Sequence, residues 1–244
     1  MDRANIDYYN NRYTYNDEFF KRLNIEPCFE DLKVMDVGCG HGALCIYAAQ
    51  KGAKRVLGID ISDDLIDFAN ENLNINHLLL KERIEFKKST IQGCDEFEFD
   101  IITSNDSFEH IIDLDDCMKE MIKRLKVGGL LLIGFGTLYN TPYGDHGFTM
   151  SKVPWGHLLR SEKRNVKRIN KSGDKKISSM TDMGLNMWSA KKYKKLFFNS
   201  GLEVLYFDKM VGYRFISKIL KLLSKVPVIN ELFTLNMYCV LKKV

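Results

Sequence analysis

The sequence predicts an α/β fold: a Rossmann-like, doubly wound, mostly parallel seven-stranded sheet with helices on both faces. Three observations carry this. Between residues 33 and 135, short β-type runs alternate with runs of helical period, as in a parallel sheet whose crossovers cover both faces. The first of these runs ends in three glycines at alternate positions, Gly38, Gly40 and Gly42, directly before a helical pattern. The alternation then breaks at 136–188, rich in Tyr, Gly, His, Lys and Ser, and resumes, which reads as an insertion after strand five. With 244 residues, 45% hydrophobic and 28% charged, the chain has ordinary globular usage and can bury a sizeable core. We therefore expect one domain over 1–244, not two.

Residues 1–30 are polar and aromatic. Tyr8, Tyr9, Tyr13 and Tyr15 mark a helical segment that either covers a site as a lid or packs on the domain edge. Residues 33–37 form the first strand. Ala43 to Gln50 has a helical pattern closed by Gly52, and 55–60 is the second strand. Ser62 reads as an N-cap with Asp63 and Asp64 in the first turn, where the helix dipole favours anions. Strands are expected at 84–88 and 99–104. Asp113 caps a helix whose Leu114, Cys117, Met118, Met121, Ile122 and Leu125 share one face. Gly128 and Gly129 turn the chain into strand five at 130–135. After the insertion, Ser189 caps a helix, Gly201 ends it, and 202–207 is a strand. A helix at 213–225, with apolar residues continuing to Phe233, suits packing on the sheet, a second copy or a membrane surface, and 236–241 forms a last strand.

No apolar run reaches the roughly 18–20 residues of a membrane helix, and the N-terminus has no signal-peptide pattern. Six cysteines without a CxxC read as reduced thiols, so a cytoplasmic protein is expected. No metal-ligand spacing stands out among the five histidines, and no metal is expected. Thirteen Lys/Arg against three acids over 151–200 give that segment +10, although the whole chain carries only +4. Positive charge is therefore concentrated in the insertion and the helix that follows it, from Lys152 to Lys195, either as a solvated face or as an attractor of anions.

The chemical signal lies in Asp36-Val37-Gly38-Cys39-Gly40-His41-Gly42. Glycines between a strand and a helix let the backbone approach a ligand at the helix N-terminus. Asp60, at the end of strand two, suits ribose hydroxyls. Both features also fit a nicotinamide dinucleotide, since Ala43 completes a G-x-G-x-x-A pattern. Asp36 separates the readings: a carboxylate beside the loop suits a cationic, amine-bearing ligand and repels a pyrophosphate.

At this point the sequence resembles the class I S-adenosylmethionine (SAM) methyltransferases. Asp36-x-Gly38-x-Gly40-x-Gly42 is similar to their first motif and Gly58-Ile59-Asp60-Ile61-Ser62 to their second. Residues 99–104 and 125–130 resemble the fourth strand and the turn into the fifth. Val127 stands where the family usually has Pro, and Ser89-Thr90 where it often has an acid. The resemblance implies SAM as methyl donor and S-adenosylhomocysteine (SAH) as product. It places Asp36 and the Gly38, Cys39 and Gly40 backbone, with Gly42, at the methionine end. It also implies Asp60 on the ribose, Ile61 on adenine with Ser89 and Thr90 flanking it, and Asn105 and Asp106 on the methyl-donor side.

Ligands of open α/β sheets bind beyond the carboxyl ends of the strands, where two clusters follow strands four and five. His146 is the first candidate base, with Tyr143 and Asp145 near it in sequence, and His110 is the second. Tyr13, Tyr139, Trp155, His157 and Arg160 are candidate acceptor contacts, with 136–188 the substrate-binding insertion. The expected reaction is methyl transfer to oxygen or nitrogen of a small, anionic metabolite. Phosphorylated or nucleotide-linked compounds, such as a surface-glycan precursor, are the candidates. An RNA-binding methyltransferase or RNA-binding module using the basic insertion, and a nicotinamide-dependent oxidoreductase, are the alternatives. Monomer and homodimer both remain open.

Overall fold

The computed structural model describes residues 1–172, 176–210 and 230–244. The helices are α1 (Arg3–Arg22), α2 (Ala43–Gln50), α3 (Asp63–Asn76), α4 (Leu114–Arg124), α5 (Glu162–Ser172) and α6 (Ala190–Phe198). The strands are β1 (Lys33–Val37), β2 (Arg55–Asp60), β3 (Ile84–Lys88), β4 (Phe99–Asn105), β5 (Leu125–Gly136), β6 (Glu203–Met210) and β7 (Asn236–Lys242). All seven strands join one sheet in the order β3-β2-β1-β4-β5-β7-β6. Pairing is parallel from β3 to β5, and β7 runs antiparallel to both β5 and β6. Strand order reverses between β1 and β4, the place where an open sheet parts to admit a ligand.

Local chemistry sets several boundaries. The Asp113 side chain accepts from the Asp116 N–H, Asp115 and Asp116 open α4, and Lys123 and Arg124 close it, so both ends complement the helix dipole. Ser189 caps α6 by accepting from the Lys192 N–H at 3.1 Å. Ser62 stands at the N-cap of α3 without a side-chain capping bond; its own N–H instead donates to Asp60 Oδ1 at 3.0 Å. The end of β2 and the start of α3 are thus tied together through a carboxylate that belongs to the site.

Each sheet face has its own core. One gathers Met35, Ile102, Leu131 and Ile133 under Met118, Met121, Tyr193 and Phe197 of α4 and α6. The other gathers Val34, Val56, Ile101 and Leu132 under α1, α2 and α3, with Phe19 and Phe20 among the buried side chains. Burying two such aromatics contributes roughly 2–3 kcal/mol each, which accounts for α1 being held along α2 rather than trailing from the domain.

Two features differ from the sequence reading, and one expectation is untested. Strand five begins at Leu125, because Gly128 and Gly129 exchange hydrogen bonds with Lys243 and keep that stretch on the sheet. The insertion contains α5, whose sequence EKRNVKRINKS offers only Val166 and Ile169 as apolar residues and so hardly signals a buried face. The helix expected at 213–225 lies outside the described residues. No helix among the described residues is long and apolar enough to cross a membrane.

Candidate functional site

A cleft of about 600 Å³ opens over the carboxyl ends of β1, β2 and β4, with α1 as its outer wall. Tyr8, Arg12 and Asn16 line it from α1. Asp36, Gly38, Cys39, Gly40, Asp60, Ile61, Ser89, Thr90, Asn105 and Asp106 all line the same cleft. Gly42 does not; its φ of +79° and the nearness of Phe86, 2.5 Å from where a Cβ would stand, give it a packing role at the start of α2.

The backbone amides of the glycine loop are engaged within the protein. Gly38 and Cys39 donate to Ile59 O, Gly42 donates to Cys39 O, and Gly40 donates to Asp60 Oδ2 at 2.9 Å. A dinucleotide loop needs such N–H groups free for a pyrophosphate. Here they are taken, and the two side chains flanking the loop, Asp36 and Asp60, are acids. That donor set fits a sulfonium nucleoside with an ammonium tail and disfavours a dinucleotide.

Asp36 is 3% exposed and accepts from Thr103 Oγ1 at 2.8 Å. Burial pushes its pKa up to about 6, against the pull of the Thr103 hydroxyl and the Arg12 charge. Arg12 itself donates from Nη1 to Asp106 Oδ2 at 2.6 Å, bridging α1 to the turn after β4. Asp106 holds a left-handed backbone, φ +54°.

Of the two candidate histidines, His110 lines the cleft and His146 does not. The two rings meet edge-on with centroids 5.2 Å apart. His110 Nδ1 lies 2.9 Å from Gly184 O, and a carbonyl only accepts, so Nδ1 carries a proton and, in the neutral ring, Nε2 keeps its lone pair. Desolvation between the cleft walls lowers the His110 pKa, and His146 adds to that lowering. His146 Nε2 donates in the same way to Thr137 O.

The other insertion candidates lie outside the cleft. Asp145 is buried and accepts from Thr149 N and Oγ1, with His157 Nδ1 3.8 Å away. His157, also buried, donates from Nε2 to Tyr139 O, and the Tyr139 ring stands edge-on to it. Trp155 donates to Leu232 O, Arg160 donates to Gly156 O, and Tyr143 is exposed. These residues hold the insertion together. Tyr13 bonds to Gln50 and packs between Tyr9 and Tyr47, edge-on to the latter, outside the cleft. The basic side chains Lys163, Arg164, Lys167 and Lys171 are exposed along α5 and line no part of the cleft.

A family model described as a methyltransferase domain matches residues 29–201, more than two thirds of the chain. The chain belongs to the class I SAM-dependent methyltransferase family. It is similar to phosphoethanolamine N-methyltransferase 1 of Zea mays, 40% identical over 116 residues, 48% of this chain and 22% of that protein. It is also similar to ubiquinone biosynthesis O-methyltransferase of Bradyrhizobium diazoefficiens, 33% identical over 117 residues, 48% of this chain and 44% of that one. The chain thus spans less than half the length of either. In fold it resembles geranyl diphosphate C-methyltransferase from Streptomyces coelicolor A3(2), a structure bound to SAH, with a TM-score of 0.62 at 18% identity over 95% of this chain and 79% of that one. Those three names attach methyl groups to nitrogen, oxygen and carbon, so family membership leaves the acceptor to be argued from the site.

Arg12 carries no sequence signal; it lies on α1 with Tyr8, one of the tyrosines that marked a possible lid, and reaches the cleft only through tertiary packing. Ser107 donates to Gly38 O at 3.2 Å and sits where a side chain on Gly38 would be. Gly38→Ala would place a Cβ against Ser107 Oγ, and 2.6 Å from its Cβ, at a φ of +77° that alanine avoids. We expect a stability loss of about 2 kcal/mol and a loss of SAH affinity, read by thermal melting and calorimetry. Parental affinity in the Gly38→Ala variant would contradict the loop's role.

Glu109 follows in the same cluster after β4. It is 4% exposed, accepts from Gly136 N at 3.3 Å through Oε1, and leaves Oε2 without a partner among the described residues. Burial, then the Asp106 charge, pushes its pKa up to about 8. An acid whose folded pKa exceeds its unfolded value binds a proton more tightly when folded. Stability therefore falls as pH rises from roughly 4.5 to about 8. Glu109→Gln should flatten the dependence of melting temperature on pH across that window; parallel curves for parent and variant would show that Glu109 titrates normally.

Proposed function

We propose that the protein transfers the methyl group of SAM to an oxygen or nitrogen of a small, anionic metabolite, with His110 as the base. The observation that supports this best is the placement of His110: its ring lines the cleft with Nδ1–H engaged by Gly184 O, which leaves Nε2 the free acceptor in the neutral ring. A histidine whose pKa lies below the ordinary value is neutral at pH 7 and ready to accept a proton from the acceptor.

SAM supplies a methyl group activated by its sulfonium. Asp36 meets the ammonium of its amino-acid tail, whose charge keeps that carboxylate ionised. Asp60 accepts from the ribose hydroxyls, Ile61 covers one face of adenine, and Ser89 and Thr90 flank the ring. Asn105 and Asp106 line the methyl-donor side. Helix α1 acts as a lid: Tyr8 packs on His41 with centroids 4.7 Å apart, and Arg12 latches onto Asp106. Such a wall excludes water and aligns the acceptor, which is most of what in-line displacement requires.

A cleft of about 600 Å³ that holds SAM leaves room for a small acceptor. Arg12 supports the anionic reading. It is the only Lys or Arg lining the cleft among the described residues, and only one of its N–H groups is engaged. The likeness to phosphoethanolamine N-methyltransferases supports it too.

SAH release should be followed over phosphorylated amines, phosphorylated sugars, nucleotide-linked sugars, uncharged analogues of each, and short RNAs. Turnover confined to small anionic compounds, with Arg12→Ala raising the acceptor KM at least tenfold, is the expected outcome. Turnover of RNA alone, or equal turnover of uncharged analogues, would overturn the reading.

A further inference from the structure

The insertion after β5 supplies no residue from its basic helix to the cleft, yet its last residues touch the turn after β4 at several points. Gly184 O accepts a hydrogen bond from His110 Nδ1–H. Two residues on, Asn186 makes five hydrogen bonds. Its backbone N–H donates to Glu109 O at 2.9 Å. Its Nδ2 donates to Phe108 O at 2.6 Å and to Ile111 O at 2.9 Å. Its Oδ1 accepts from the Tyr193 hydroxyl at 2.7 Å and from Trp188 N at 3.1 Å. Both donors and both lone pairs of the carboxamide are in use, which fixes the orientation of the group.

The partners have a pattern. Phe108, Glu109 and Ile111 surround His110 in sequence, and Asn186 holds the carbonyls of all three. Tyr193 and Trp188, on the other side of Asn186, are buried in the core of the α6 face. A half-buried amide therefore ties the segment carrying His110 to a rigid part of the domain, and the same strand of insertion presents the carbonyl that selects the His110 tautomer.

We propose that Asn186 is a positioning residue for methyl transfer: it staples the 108–111 turn to α6 so that His110 meets Gly184 O through Nδ1 and turns Nε2 to the acceptor. This rests on His110 being the base. It assigns the end of the insertion a role in holding the base.

The test uses the full chain saturated with SAH and labelled with 15N-histidine, the His110 signals being assigned with His110→Gln. In the parent, His110 should be in the Nδ1–H tautomer. In Asn186→Ala the turn loses both side-chain donors and keeps only the backbone bond to Glu109 O, and His110 should show a mixture of tautomers. SAH affinity should stay within threefold, because no residue of the glycine loop touches Asn186. With the acceptor found in the screen above, kcat should fall roughly 10- to 100-fold and its pH profile should shift, while KM changes little. Tyr193→Phe, which deletes one bond and leaves the ring in the core, should move the same readouts in the same direction to a smaller extent. It carries the test if Asn186→Ala does not fold. Parental His110 signals and parental kcat in these variants would overturn the proposal. If instead His110→Gln leaves turnover intact, the base reading fails, and the tautomer measurement still decides whether Asn186 orients the ring.

Discussion

Asp60→Ala should raise the Kd for both SAM and SAH by about 100-fold, a loss of roughly 2.7 kcal/mol. The Asp60 carboxylate does two things at once. Oδ2 accepts from Gly40 N and Oδ1 from Ser62 N, so it closes the glycine loop onto the first turn of α3. Its remaining lone pairs face the cleft, where vicinal hydroxyls of a ribose can donate to them. Alanine removes the ribose acceptor and frees the Gly40 amide together. Asp60→Asn keeps one oxygen acceptor and should lose about tenfold, since charge-assisted bonds are the stronger ones. Calorimetry with SAH reads both variants, with thermal melting as the check on folding. An alanine variant that binds SAH as the parent does would remove Asp60 from the ribose site.

His110→Ala should lower kcat by roughly 10²–10⁴-fold while leaving SAH affinity within a factor of a few. A hydroxyl acceptor belongs at the large end of that range. A neutral amine, which already has a lone pair to attack with, belongs at the small end. The pH profile gives a second sign. In the parent, kcat should rise with pH through the His110 pKa, which lies below the ordinary histidine value, because only the neutral ring accepts a proton. In the variant that acidic limb should vanish. Parental kcat with the limb intact would mean that another group, or none, takes the proton.

How legible each part was depended on how local its determinants are. The glycine loop, Asp36 and Asp60 are read from a strand, a turn and a helix start within 25 residues, and the structure gathers all of them except Gly42 along one cleft. The Asp113 and Ser189 caps were equally plain, since a cap depends on residues three positions away. Arg12 gave no such signal: its partner Asp106 is 94 residues distant, and nothing in α1 distinguishes Arg12 from Arg3 or Arg22. The order of the two histidines was hidden for the same reason. His146 sits in a richer local context than His110, but which ring reaches the cleft depends on how the 137–146 turns fold back on the turn after β4. The charge of the insertion pointed toward the acceptor by composition alone, whereas in space Lys163, Arg164, Lys167 and Lys171 are exposed along α5, away from the cleft. Asn186 was silent because an asparagine that staples a loop looks, in sequence, like one in any turn.

A crystal structure with SAH bound tests the whole account at once. The ribose hydroxyls should lie within hydrogen-bond distance of the Asp60 carboxylate, the ammonium beside Asp36, and the sulfur on the side of the cleft that His110 Nε2 faces. SAH absent from this cleft at saturating concentration, or bound with its ribose away from Asp60 and its sulfur shielded from His110, would contradict it.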